Sequence, residues 1–253
     1  YTQRYDKNFI EIEDFGNETV FKTLKKKGKN KLSYFNRIIK LLIQIQSIKH
    51  RKVKNFRNQN YIIPKYDKKI LINEANLFCD WYAKNNLSKL RKKRFCKKFK
   101  KIIKELTLKL KLKDNIFVHR DFHVSNLMSV KNQIGLIDSQ DALIGNKAYD
   151  LASLIDDVRL KTSYSFKEKI FKFYTKKQKN LDIKKFKNDF EILSVLRNLK
   201  IIGIFTRLAL RDRKKNYLRF IPYTWQLINM RIDQNRTFID LKNLLSQNFK
   251  KIK

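Results

Sequence analysis

The chain has 253 residues, 42% hydrophobic and 13% aromatic, with only 2 prolines and 5 glycines; this supports one sizeable core and excludes a disordered or loop-rich chain. Its 60 basic and 23 acidic residues leave a net charge of +37, but the basic residues are spread along the whole chain, as in an AT-biased genome, so no specific nucleic-acid partner is read from them. No apolar run is long enough to cross a membrane, Tyr1 to Asn8 is no signal peptide, and Cys79 and Cys96 lack zinc spacing, which leaves reduced thiols in a cytoplasmic protein.

In chain order, Ile10 to Gly16 alternates apolar and polar residues and ends at a glycine, the pattern of a short strand and turn. Lys25 to Lys31 reads as a basic loop around Gly28. Phe35, Ile38, Ile39, Leu42 and Ile45 fall at helical spacing, and His50 to Asn60 reads as a polar surface loop. Helices are expected over about Lys69–Asn85 and Ser88–Leu112. The pattern then changes to a compact strand, Ile116 to Val118, and a hairpin from Leu127 through Lys131, Asn132 and Gln133 to Ile137. Beyond Gly145 the expected elements are all helices, about Ala148–Val158, Phe166–Lys176, Ile183–Leu210, Lys214–Met230 and Ile239–Gln247. The sum is an α+β chain, mostly helical, with a small central β-hairpin element.

The chemistry concentrates in His119-Arg120-Asp121-Phe122-His123-Val124-Ser125-Asn126 and in Leu136-Ile137-Asp138, followed by Gly145 and Tyr149-Asp150-Leu151-Ala152. Phosphoryl transfer asks for a positioned base and metal ligands more than for covalent help. Asp121, in a loop after a strand, can orient an attacking hydroxyl and accept its proton. Asn126 and Asp138 supply an amide and a carboxylate oxygen, the hard donors that magnesium prefers. The hairpin returns Asp138 beside the loop, so three oxygen-bearing side chains meet at one end of a small sheet.

These motifs resemble the aminoglycoside phosphotransferase and choline kinase superfamily, relatives of the protein kinases. The resemblance implies a protein-kinase-like C-lobe using ATP and Mg2+, with Asp121 as catalytic base and Asn126 and Asp138 as magnesium ligands. It further implies that Asp150 is buried and braces the catalytic loop, that His119 packs beneath it, and that Arg120 forms an ordinary structural ion pair. Asp138-Ser139-Gln140-Asp141-Ala142 with Tyr149-Asp150-Leu151-Ala152-Ser153-Leu154 is similar to the bacterial anomeric sugar kinases of cell-wall recycling. Glu74, Phe78, Trp81 and Tyr82, the stretch Lys200 to Asp212, and Tyr217 and Pro222 agree with that subgroup. Ser139 departs from it, since an aromatic residue is usual there.

The expected acceptor is therefore a small molecule, an N-acetylated amino sugar phosphorylated at its anomeric hydroxyl. The basic chain suits a carboxylated sugar such as N-acetylmuramate better than a cationic acceptor. His123, Ser125, Gln140 and Asp141 flank the base and can hydrogen-bond sugar hydroxyls. Glu74, Trp81 and Arg207 sit on helices that can close the pocket. The alternatives are another small-molecule kinase, of aminoglycoside or choline type, and a non-catalytic basic binding protein derived from a kinase lobe.

Kinases of this type also need a small lobe with a glycine-containing phosphate loop and a strand lysine, and neither is found in the expected place. Residues 1–16 look like the remnant of the junction between lobes, with the backbone of Glu13, Asp14 and Phe15 as the adenine hinge. Residues 17–253 form the phosphotransferase lobe. The expectation is that the chain alone binds ATP poorly and turns over slowly or not at all.

Overall fold

Five helix starts among the described residues are set by short polar side chains that accept a hydrogen bond from the first turn. The computed structural model describes residues 3–4, 9–10, 12–26, 30–54, 57–131 and 133–249. A two-stranded pair, β1 (Gln3–Arg4) with β2 (Phe9–Ile10), precedes α1 (Val20–Lys25) and α2 (Lys31–Gln46). Thr19 caps α1 and Asn30 caps α2 through Ser33 N at 3.2 Å. Asp67, Ser163 and Asp182 do the same for three later helices; each such cap is worth about 1 kcal/mol.

After α2 come the antiparallel pair β3 (Lys52–Lys54) and β4 (Asn60–Ile62), then α3 (Lys68–Leu77). The helix continues through a π-helical segment, Phe78–Ala83, into α4 (Lys84–Asn86), and α5 (Lys89–Leu108) follows. Four strands then form two pairs: β5 (Asp114–Val118) with β8 (Leu143–Asn146), and the hairpin β6 (Leu127–Val130) with β7 (Gln133–Leu136). The rest is helical: α6 (Ala148–Ile155), α7 (Tyr164–Lys176), α8 (Ile183–Leu210), a 3-10 turn over Lys215–Phe220, α9 (Ile221–Ile232), a second turn over Arg236–Phe238, and α10 (Ile239–Asn248). No helix among the described residues is long and apolar enough to cross a membrane.

Two apolar clusters fill the interior. One joins α2, the loop after β5, α6 and α7 through Phe35, Leu42, Phe122, Leu151 and Tyr174. The other joins α3, the π-helical segment, α5, α9 and α10 through Ala75, Phe78, Phe99, Trp225 and Leu241. Helix α8 serves both, with Phe186 and Phe190 in the first and Leu199 and Phe205 in the second. It is therefore buried around most of its circumference instead of along one stripe.

Most expected elements recur, and the differences have local causes. The stretch read as a surface loop from His50 contains the β3–β4 hairpin, whose six strand residues are all exposed and so carry no hydrophobic alternation. The strand expected over Ile10 to Gly16 is confined to Phe9–Ile10. Ile12 is exposed, and Gly16 turns the chain at φ +70°. A single helix was expected over Lys214–Met230, but Pro222, which has no N–H to donate, starts a new helix at Ile221. Glu11, residues 27–29 of the basic loop including Gly28, and Asn132 of the hairpin turn lie outside the described residues. Cys79 and Cys96 are free thiols within hydrogen-bonding reach of each other.

Candidate active site

Strand β5 delivers His119, Arg120 and Asp121 to the edge of a cavity. The strand pairs with β8, which leads directly into α6 and places Asp150 in that helix's first turn. Asp150 is 1% exposed, and its two carboxylate oxygens accept from His119 N at 2.7 Å and Arg120 N at 3.0 Å. Burial pushes its carboxyl up to about 7, since the two backbone N–H groups offset desolvation only in part. Arg120 sits in the left-handed region at φ 73°, a conformation that costs a non-glycine residue roughly 1–2 kcal/mol unless its surroundings hold it.

His119 links this loop to the hairpin. It is fully buried, and its Nε2 donates to the carbonyl of Ile137 at 3.0 Å. Burial lowers its pKa, so the ring is neutral at pH 7. Ile137 N also donates to Asn126 O at 3.1 Å, and Asn126 Nδ2 donates to Asp121 O at 3.1 Å. Asp138, the next residue, takes a left-handed turn at φ 68°. The three candidate oxygen donors are thus tied into one loop-and-hairpin unit by bonds between main chain and side chain.

Asn126 spends its amide nitrogen on Asp121, which leaves its carbonyl oxygen available. Asp138 Oδ1 accepts from Gln140 at 3.2 Å, which leaves the other carboxylate oxygen. Among the described residues no three His, Cys, Asp or Glu side chains cluster as a metal cage. Two hard oxygens without a full cage fit magnesium, which keeps waters and takes phosphate oxygens for the rest of its shell.

Asp121 opens onto a cavity of about 260 Å³. Its lining includes Arg120, His123, Arg159, Arg197 and Lys200, above an apolar floor contributed mainly by α8, from Ile201 to Leu208. Burial would raise the Asp121 carboxyl, but Lys200 and Arg197 outweigh it and hold the group below the usual carboxylate range. It is ionised at neutral pH, the state a proton acceptor needs. His123 is 5% exposed, and burial with Arg159 nearby lowers its pKa to about 4. Val124 N donates to the buried Asp157, which also pairs with Arg159, and so anchors the far end of the loop to the residues after α6.

The sequence-derived acceptor residues divide. His123 faces the cavity. The described lining does not include Glu74, Trp81, Ser125, Gln140, Asp141 or Arg207. Glu74 is consumed beneath the site: it accepts from Tyr66 and pairs with Arg120 and with Lys200 at 2.9 Å. This is the structural ion pair expected for Arg120. Trp81 is half-buried in the π-helical segment. Arg207 lies further along α8, near Asp212. Asp141 is exposed, and its carbonyl accepts from Arg120. Of the proposed hinge, Asp14 Oδ1 accepts from Gly16 N at 2.7 Å, and the Phe15 ring covers Gly135 of β7, where a Cβ would lie 2.8 Å from it. Glu18 O accepts from Ser129 N in β6. Residue-by-residue reading missed Arg159 and Arg197 and did not place Lys200 in the site. The one sequence signal for Arg197 and Lys200 is a pair of cations in the otherwise largely apolar stretch 192–206 of α8; Arg159, in the connection after α6, has none.

The sequence profile of the phosphotransferase enzyme family matches residues 29–181. The chain is 28% identical over 223 residues to an N-acetylmuramate/N-acetylglucosamine kinase of Neisseria meningitidis serogroup B, covering 86% of this chain and 65% of that protein. A protein of the same name from Pseudomonas aeruginosa is 27% identical over 250 residues, covering 96% of this chain and 71% of the relative. The chain thus spans about two-thirds of the length of these relatives. In structure it is similar to an ethanolamine kinase of Plasmodium vivax, with a TM-score of 0.57 at 13% identity over 85% of this chain and 63% of the other. That likeness concerns the fold, an α+β protein-kinase-like architecture.

Proposed function

The chain belongs to the phosphotransferase enzyme family, and on that premise we propose that it transfers the terminal phosphate of ATP to a hydroxyl of an N-acetylated amino sugar, the anomeric one. Residues 17–253 are the phosphotransferase lobe in this reading, and residues 1–16 are its junction. Asp121 orients the acceptor hydroxyl and takes its proton as the new O–P bond forms and the bond to the leaving diphosphate breaks. Asn126 and Asp138 would hold magnesium, which neutralises charge on the phosphates. The main chain of Glu13 to Phe15 receives the adenine, beside the hairpin on which Phe15 rests.

The observation that carries this reading is the hold of Asp150 on two consecutive N–H groups, which sets an ionised Asp121 at the mouth of a cavity. The names of the relatives support the sugar as acceptor class. The test is ATP turnover with N-acetylmuramate and N-acetylglucosamine, comparing the chain with its Asp121→Asn variant. Sugar-dependent turnover that falls roughly 10²-fold or more in the variant is expected. Undiminished turnover in the variant overturns the reading.

A further inference from the structure

Four cations line the cavity, and their partners differ. Arg120 and Lys200 share Glu74. Arg159 reaches Asp157 with one nitrogen at 3.4 Å, a long contact that leaves most of its donors over. Arg197 is the exception: it is 4% exposed, its Nη1 is shut off from solvent, and that nitrogen has no hydrogen-bond partner. A guanidinium out of water with donors unmet costs several kcal/mol by order of magnitude, and proteins retain one where something anionic completes it. Arg197 does act electrostatically on Asp121, His123 and Asp157, and so does Arg159 on the last two. The two guanidiniums therefore share one corner of the cavity, around His123, whose neutral ring brings no charge and whose Nδ1 is also unpartnered.

The rest of the cavity has no such surplus. Asp121 is the one carboxylate in the described lining, and Ile201, Ile204, Phe205 and Leu208 form the apolar side. The site is thus polarised: a proton acceptor at one place, two forked cations with donors left over at another, and an apolar wall. Guanidiniums match a carboxylate with paired N–H···O bonds, which a compact ammonium does not. A cationic acceptor would meet like charge here.

We propose that Arg197 and Arg159 form a carboxylate-binding corner of the acceptor pocket, so that the preferred acceptor is an acidic sugar with its carboxylate on the guanidiniums and a hydroxyl at Asp121. This rests on the reading of the site as an amino-sugar kinase and specifies which kind of amino sugar it takes. N-acetylmuramate and N-acetylglucosamine are suitable probes, because they differ by one lactyl ether and its carboxylate.

Equilibrium binding of both sugars is measured by calorimetry on the chain and on its Arg159→Gln and Arg197→Lys variants, with circular dichroism to confirm folding. A charge-assisted contact predicts a roughly 10- to 100-fold affinity ratio in favour of N-acetylmuramate. Arg159→Gln brings that ratio towards one, and Arg197→Lys, which keeps charge but loses the fork, lowers it part-way. Equal affinities in the parent chain, binding of neither sugar, or a ratio that survives both variants overturns the carboxylate corner. The two readings fail separately. Asp121-dependent turnover without carboxylate preference keeps the kinase and removes the corner; carboxylate preference with turnover indifferent to Asp121 keeps the corner and removes the kinase mechanism.

Discussion

Asp150 and Asp156 belong to the same short helix, as first-turn residue and C-cap, and their carboxyls are displaced in opposite directions. Burial pushes both up. Asp150 has two N–H groups against it and remains at about 7, whereas Asp156 meets Arg231, Lys167 at 3.2 Å and the Ser194 hydroxyl and falls to about 2. An acid raised in the fold holds its proton more tightly folded than unfolded, so the contribution of Asp150 to stability declines as pH rises from about 4 to about 7. An acid lowered in the fold does the reverse. The contribution of Asp156, about 2 kcal/mol, is present above about pH 4 and is lost as pH falls towards 2. Urea midpoints plotted against pH should therefore fall off on both sides. In Asp156→Asn the acid limb should flatten, at a cost of roughly 3–5 kcal/mol at neutral pH from the stranded Arg231 and Lys167. An acid limb unchanged in that variant would contradict this account.

Helix α8 decides the cavity because it carries both Arg197 and Lys200 while passing close to α3. The crossing is made at Gly203, where an added Cβ would lie 2.4 Å from the carbonyl carbon of Leu77 and 2.7 Å from Phe78 N. Those neighbours are backbone, at the start of the π-helical segment, and cannot rotate away. Gly203→Ala should force the two helices apart and destabilise the fold by about 1–3 kcal/mol, read from urea unfolding. The same displacement loosens the tie between Lys200 and Glu74, so sugar affinity should fall together with stability. A variant as stable as the parent would show that the crossing is softer than this geometry requires. The β3–β4 hairpin, by contrast, buries little and escaped the hydrophobic pattern for that reason.

At the scale of the whole molecule the net charge of +37 opposes folding. Surface ion pairs are too few to neutralise it, and the most exposed ones contribute little. Added salt screens the repulsion, so the urea midpoint should rise with ionic strength at neutral pH. A midpoint that fell steadily with salt would mean that attractive pairs dominate instead. The sequence by itself determined the β6–β7 hairpin and most of the helices after it, the loop with Asp121, Asn126 and Asp138, and the place of Asp150 at the start of a helix, because those signals are local: strand ends, turn residues and fixed spacings within one stretch of chain; strand β8, which pairs with β5 across that stretch, escaped it. It did not reveal what surrounds Asp121. Glu74 was legible as a notable residue but not as the counterion beneath Arg120 and Lys200. Arg159 and Arg197, from a loop and a distant helix, line the same cavity as His123 only through the packing of α6 against α8. Burial and charge pairing depend on contacts between residues far apart in sequence, and only the tertiary structure decided which cations of the cavity pair with Glu74 and which keep donors over.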